Sequence, residues 1–177
     1  ATHAEITVKA LNKGIHVLCE KPMATTMAEC EAMVEAAKRN NKKLMIAQNQ
    51  RFASVHQEAR KRIAAGEIGE LLSFDSVYAH GGPENWLGSA NPWFFDKKQS
   101  VFGCMADIGI HKTDLLHYLL GEPIVKVSAI LRTMDKKYPN GELIAVDDNA
   151  FCLYQTASGV AGTLHVSWTQ YGTEINS

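Results

Sequence analysis

Apolar residues in the first seventy positions recur at helical spacing, then as a short run, and then repeat both patterns. Ala4, Val8 and Leu11 fall on one helical face, and Gly14 supplies a stop just beyond them. Thr2-His3-Ala4-Glu5 ahead of them has the form of a capping box. Ile15 to Leu18 reads as a buried strand that must end at Glu20-Lys21-Pro22, because proline cannot donate to a sheet ladder. Thr26-Met27-Ala28-Glu29 is a second capping box, and Met27, Cys30, Met33, Val34 and Ala37 predict one apolar stripe. Lys38 and Arg39 suit the negative end of that helix. Leu44 to Ala47 is another short strand, running into Gln48-Asn49-Gln50-Arg51-Phe52. Ser54 is placed to cap a third helix through Ala65, ended by Gly66.

Alternating helices and short buried strands predict a parallel, doubly wound α/β sheet over residues 1–69. Both strands end in polar residues, so Lys21 and the Gln48–Arg51 group are expected on one rim, the edge where such sheets bind ligands. Past residue 70 the pattern changes. Leu71–His80 reads as a longer strand, followed by an irregular stretch from Gly81 to Gln99 that carries glycine, proline and tryptophan. Ala106–Leu120 predicts a helix bounded by Gly121 and Pro123. Ile124–Met134, Asn149–Thr156 and Val160–Thr169 predict strands, the last two joined by the hairpin Ala157-Ser158-Gly159. Residues 70–177 therefore predict an α+β domain, a mainly antiparallel open sheet with a packed helix.

Composition narrows the function classes. The chain has 177 residues, 46% hydrophobic and 21% charged, with a formal net charge of -1. That balance gives no basic footprint for nucleic acid and no polybasic membrane patch. Cys19, Cys30, Cys104 and Cys152 form no C-x-x-C pair, and reduced thiols in a cytoplasmic protein are expected. No apolar run approaches the ~18 residues of a membrane span, and no signal-peptide pattern is present. The absence of an initial methionine and the strand pattern still running at Ser177 lead us to expect a fragment at both ends.

Candidate chemistry falls in three places. Asp107, His111, Asp114 and Tyr118 are spaced by four, three and four on the predicted helix. A histidine one turn from an aspartate is a natural acid/base, with a reference pKa of ~6.5. No third ligand comes with suitable spacing, so no metal is expected. Gly109 inside a helical pattern costs about 1 kcal/mol against alanine, which suggests close approach by another backbone or a ligand. Trp86 and Trp93, with Phe94 and Phe95, can wall a pocket, and Arg51 can clamp an anion. The plain alternatives are a solvated strand end at Lys21, a solvated helix face, and aromatics that pin the loop to the core.

Taken in order, Thr2-His3-Ala4-Glu5, Gly14, Glu20-Lys21-Pro22, Gln50-Arg51-Phe52, Asn91-Pro92-Trp93-Phe94 and Gly103-x-x-x-Asp107-x-Gly109-x-His111-x-x-Asp114 resemble the Gfo/Idh/MocA family of nicotinamide-dependent oxidoreductases. The resemblance implies that residues 1–69 are the C-terminal portion of a Rossmann-like domain for NAD or NADP, and that residues 70–177 form a substrate and oligomerisation domain. It implies a catalytic set of Lys21, Asp107 and His111, with Glu20, Lys21, Pro22, Gln48 and Arg51 toward the cofactor. Arg51, Trp93, Asp107 and His111 would face a sugar, polyol or related small hydroxy compound. It also implies a homo-oligomer formed through the antiparallel sheet. An NAD-dependent glycoside hydrolase and a non-catalytic dinucleotide-sensing regulator are alternatives within the same family.

Two departures qualify the match. Ser100-Val101-Phe102-Gly103 keeps only the last glycine of a run the family often carries, so pocket shape is expected to differ. No two glycines are separated by a single residue, so the chain has no G-x-G-x-x-G phosphate cradle, and by itself it is expected to bind the cofactor weakly or not at all.

Overall fold

A computed structural model describes residues 2–177 and divides the chain into two compact units, one up to Asn49 and one from Gln50. In the first unit, α1 (His3–Asn12) buries Ala4, Thr7 and Leu11. The capping box expected at its start does not form. Thr2 has φ -101° and ψ -8°, near-helical rather than extended, so its hydroxyl makes no cap bond. Glu5 pairs instead with Lys9, at 2.5 Å. Gly14 turns the chain at φ +77°, and β1 (Val17–Cys19) follows.

The second capping box is complete. Ahead of α2 (Met27–Arg39), the Glu29 N–H donates to Thr26 Oγ1 at 3.2 Å and the Thr26 N–H donates to Glu29 Oε2 at 3.0 Å. The buried stripe of α2 is narrower than expected: Met33, Ala36 and Ala37 are buried, whereas Met27 is 75% exposed and Val34 is also exposed. Small Ala36 and Ala37 let α2 close on Leu11, while Met33 seals Ala4 and Cys19. β2 (Leu44–Ile46) pairs in parallel with β1, Val17 opposite Leu44 and Cys19 opposite Ile46. The carboxyl ends of both strands thus lie on one edge, as the sequence predicts.

The second unit begins before the pattern change near residue 70. Its first helix, α3 (Ser54–Ala64), starts with Ala53 in the cap position, so Ser54 is the first helical residue rather than the cap. α3 is fastened inside this unit: Arg60 Nη1 donates to the carbonyl of Leu119 at 3.0 Å. That attachment accounts for the unit starting at Gln50 rather than at residue 70. β3 (Ser73–Ala79) leads into the loop, which holds two short helices, α4 (Pro83–Leu87) and α5 (Lys97–Ser100), and a 3₁₀ turn at Trp93–Phe95. A π-helical turn, Met105–Gly109, then runs without a break into α6 (Ile110–Leu120), which ends at Gly121 with φ +75°.

β4 (Ile124–Arg132), β5 (Asn149–Thr156), β6 (Ala161–Ser167) and β7 (Ile175–Asn176) complete a sheet of order β4-β5-β6-β3-β7. The sheet is antiparallel except where β3 lies parallel to β6, Ser73 opposite Ala161 through Ala79 opposite Ser167. One face is sealed: Cys152, Tyr154, Leu164, Val166 and Trp168 pack against Ile108 and Leu116 of the helix and Phe95 of the loop. Each such side chain contributes about 1.5–3 kcal/mol of burial. The other face is open, with Ile130, Phe151 and Leu153 exposed and Phe151 stacked on His165 at 4.5 Å and 8°.

Candidate functional site

In the first unit the site is an edge. β1 stops at Cys19, and the chain turns through Glu20, Lys21 and Pro22, where the Lys21 N–H donates to Glu20 Oε2 at 3.2 Å and His3 Nδ1 bonds the Pro22 carbonyl at 2.8 Å. Beyond β2, the Ala47 N–H closes the ladder on the Cys19 carbonyl at 2.8 Å and delivers Gln48 to the same edge. Gln48 Oε1 is buried there with no hydrogen-bond partner among the described residues. A buried acceptor without a donor is costly, about 1–3 kcal/mol, and marks a place for a ligand N–H or O–H. The amide and ribose hydroxyls of a nicotinamide dinucleotide offer such donors, so this edge fits that part of the cofactor. A cradle for its pyrophosphate is not built from these residues, since the chain has no glycine pair at single-residue spacing.

In the second unit the helix motif is divided between two tasks. Asp107 sits in the π-helical turn, buried, and accepts a hydrogen bond from Trp168 Nε1 at 3.2 Å. His111 follows on α6, partly buried, with Nδ1 inside the protein. Asp114 and Tyr118 belong to a different cluster. Arg51 binds Asp114 with two bonds, Nε to Oδ2 at 2.6 Å and Nη2 to Oδ1 at 2.5 Å, and its guanidinium lies 5.6 Å from the Tyr118 ring. The paired carboxylate holds the Arg51 proton more firmly than usual. Most of the fork of Arg51 is therefore committed to holding Gln50–Phe52 onto α6, and less of it remains for a ligand than the sequence suggested.

The glycines acquire distinct explanations. A Cβ on Gly103 would lie 1.8 Å from the Asp147 carbonyl oxygen, so only glycine lets the two backbones meet. At Gly109 the neighbour is the side chain of Met105, with Sδ 2.4 Å from a built Cβ, and not the second backbone or ligand expected from the sequence. Val101, at a position where the resemblance led us to expect glycine, is held at φ +67°, a conformation that strains a β-branched residue.

The supports of the site come from residues the sequence did not mark. The Asp147 carboxylate accepts from Gly103 N–H at 2.8 Å, Met105 N–H at 2.9 Å and Cys104 Sγ at 3.3 Å, capping the turn that carries Asp107. Burial, with Asp147 alongside, pushes the Cys104 thiol far up, so it stays protonated as a donor. Asp148 accepts from the N–H groups of Met134, Asp135 and Lys136, each at 2.8 Å, and its carbonyl accepts from Trp168 N–H at 2.8 Å. An Asp-Asp dipeptide just before a strand was the available signal. Trp93, 51% exposed, lies 4.0 Å from Phe94, and Phe94 meets Trp168 edge to face at 6.2 Å. A chain of rings thus joins the loop surface to the indole that binds Asp107. Among the described residues, no group of three or more His, Cys, Asp or Glu side chains is arranged to hold a metal ion.

Two family models match the chain: "GFO/IDH/MocA C-terminal domain" over residues 56–176 and "Oxidoreductase family, NAD-binding Rossmann fold" over residues 1–48. Levoglucosan dehydrogenase of Pseudarthrobacter phenanthrenivorans is 32% identical over 96% of this chain and 47% of its own length. The scyllo-inositol 2-dehydrogenase (NAD(+)) of Bacillus subtilis is 30% identical over 100% of this chain and 49% of its own. Among solved structures, levoglucosan dehydrogenase with NADH and levoglucosan superposes with a TM-score of 0.87 at 34% identity, over 99% of this chain and 47% of that one. Aldose-aldose oxidoreductase from Caulobacter crescentus, complexed with glycerol, gives 0.84 at 30% identity, over 96% and 48%. The chain spans about half the length of the relatives it matches.

Proposed function

Because this chain belongs to the Gfo/Idh/MocA family of oxidoreductases, we propose that the protein transfers a hydride between NAD and a neutral sugar or polyol. When bound, the nicotinamide supplies the hydride acceptor. The remaining work falls to side chains. Oxidising a secondary alcohol requires removal of the hydroxyl proton, and His111 is the base that takes it. Asp107, held by the Trp168 indole, orients the imidazole and supports its positive charge. Lys21, at the carboxyl end of a parallel strand, steadies the developing alkoxide and holds the nicotinamide side. Glu20, Pro22 and Gln48 line the cofactor edge, Arg51 keeps its place through Asp114, and Trp93 offers an indole face to the sugar.

The observation that carries this reading is the buried Asp107 with a dedicated donor, four residues ahead of His111, in a chain whose relatives include sugar and inositol dehydrogenases. The test is a spectrophotometric screen of the full-length protein against neutral sugars and polyols, with NAD and NADP in parallel. Turnover should fall by about 10²–10⁴-fold in Lys21→Ala and His111→Ala. Unchanged turnover in either variant sinks the assignment.

Two further readings accompany it. The open face of the second unit's sheet is a self-association surface, since Ile130, Phe151 and Leu153 are exposed on adjacent, paired strands. The four cysteines are free, three of them buried, which suits a reducing compartment, and we place the protein in the cytoplasm.

A further inference from the structure

The end of β3 presents a donor that the proposed mechanism does not use. Past Ala79, the His80 N–H donates to the Ser167 carbonyl at 3.0 Å and the Gln170 N–H donates to the His80 carbonyl at 3.2 Å. The first bond completes the parallel pairing of Ala79 with Ser167 and the second skips a residue, so the ladder ends here, with His80 and Trp168 each the next residue along. Neighbouring residues on paired strands point to the same side of a sheet. The His80 ring accordingly lies on the helix-covered side, edge-on to Tyr78 at 5.7 Å, next to the indole that binds Asp107.

The ring is locked in one tautomer. The Gly82 N–H donates to His80 Nδ1 at 3.0 Å, which fixes Nδ1 as an acceptor and places the proton on Nε2. Gly82 reaches that position at φ +95°, where a Cβ would also lie 2.5 Å from Glu84 Oε2. Burial keeps the imidazole neutral by lowering its pKa, against the opposing pull of Asp107, Glu174 and Glu84, with Lys136 acting in the same sense as burial. Among the described residues nothing accepts a hydrogen bond from Nε2, and the ring is only half-buried. A half-buried ring of fixed tautomer therefore carries an uncommitted N–H on the helix-covered side of the sheet, within electrostatic reach of Asp107.

We infer that His80 is a specificity-determining residue whose Nε2–H donates to one hydroxyl or ether oxygen of an uncharged polyhydroxy substrate. This rests on the sugar oxidoreductase reading above. The surroundings select the charge class of the substrate. Asp107, Glu84 and Glu174 lie around the ring, and Lys136 is spent on Glu84 and the Gly81 carbonyl. A carboxylate or phosphate brought to Nε2 would meet these acidic groups, and the one cation that acts on the ring among the described residues, Lys136, is already engaged. A neutral sugar oxygen meets only a donor. A site built to bond a hydroxyl also rejects the analogue that lacks it.

The test uses the full-length protein with His80→Ala, His80→Asn and His80→Gln, assayed on the preferred neutral sugar, its monodeoxy analogues and the matching uronic acid. Loss of one neutral hydrogen bond should raise KM by about tenfold in His80→Ala and His80→Asn, with kcat within about twofold. His80→Gln places an N–H where Nε2–H stood and should recover most of the loss. One deoxy analogue should be discriminated by wild type but not by His80→Ala, and the uronic acid should be a poor substrate of both. Equal KM values across all variants, or a glutamine variant as impaired as alanine, would overturn the assignment. If the wild type turns over no sugar, the dehydrogenase reading fails by itself. His80 is then judged by titrating the same neutral sugars into protein labelled with ¹⁵N-histidine. A shifted His80 Nε2 resonance sustains the inference, and an unmoved one refutes it.

Discussion

Trp168 Nε1 donates to Asp107 Oδ2 across 3.2 Å, linking a fully buried indole at the end of β6 to the carboxylate of the π-helical turn. A donor held in the core fixes the direction of the carboxylate. Trp168→Phe keeps an aromatic ring in the core and removes only that donor. In the full-length protein kcat should fall by about tenfold. A phenylalanine variant with the wild-type kcat would show that the indole serves packing alone.

Asp147 stands behind the same turn. Asp147→Ala leaves the donors of Gly103, Cys104 and Met105 without their acceptor inside the protein. Hydrogen bonds to charged groups contribute about 1.5–3 kcal/mol each, with incomplete additivity, so a loss of about 3 kcal/mol or more is expected in urea unfolding. Asp147→Asn, which keeps one acceptor oxygen, should lose less. Gly103→Ala should be at least as damaging as the alanine variant at 147, because its Cβ meets backbone rather than a side chain that can move.

Acid should weaken the fold through its half-buried histidines. Burial lowers the pKa of both His80 and His165, so each binds its proton more readily when unfolded. The stability they contribute is fully present above the unfolded value of ~6.5 and is lost as pH falls below it. His165→Gln should flatten the decline in thermal midpoint between neutral and mildly acid pH. A decline identical to that of wild type would remove His165 from the account.

The open sheet face offers a separate check. Phe151 is exposed and stacked on His165 in the middle of that face. Phe151→Asp should shift the full-length protein toward smaller species in sedimentation velocity while leaving far-ultraviolet circular dichroism intact. An unchanged distribution would place self-association elsewhere or nowhere.

Local signals carried most of the architecture. The strand ending at Glu20-Lys21-Pro22, the Thr26 capping box and the glycine that ends α6 rest on neighbouring residues, and the structure keeps all three. What escaped was set at a distance. Val34 lost its burial because Ala36 and Ala37 make the closer seam with Leu11. The π-helical turn was invisible to a 3.6-residue period. Of the candidate site, Asp107 and His111 were legible as a spaced pair, whereas Asp147 and Trp168, which hold the turn, lie 44 and 61 residues from their partners. No window along the chain contains such a relationship. The parallel entry of β3 was hidden for the same reason.

That entry bears on the order in which the second unit assembles. β3 leaves the ribosome early, yet the strand it must join lies 88 residues further on, as in the bond from Thr163 to Asp75. β4, β5 and β6 can zip together as a local meander, while β3 waits with both edges open until β6 exists. Closing so long a loop is entropically slow, and an unpaired strand is a template for wrong partners. The residues that would select the sugar, at the end of β3, are thus among the last to reach their places, and recognition ability should appear only when folding is complete.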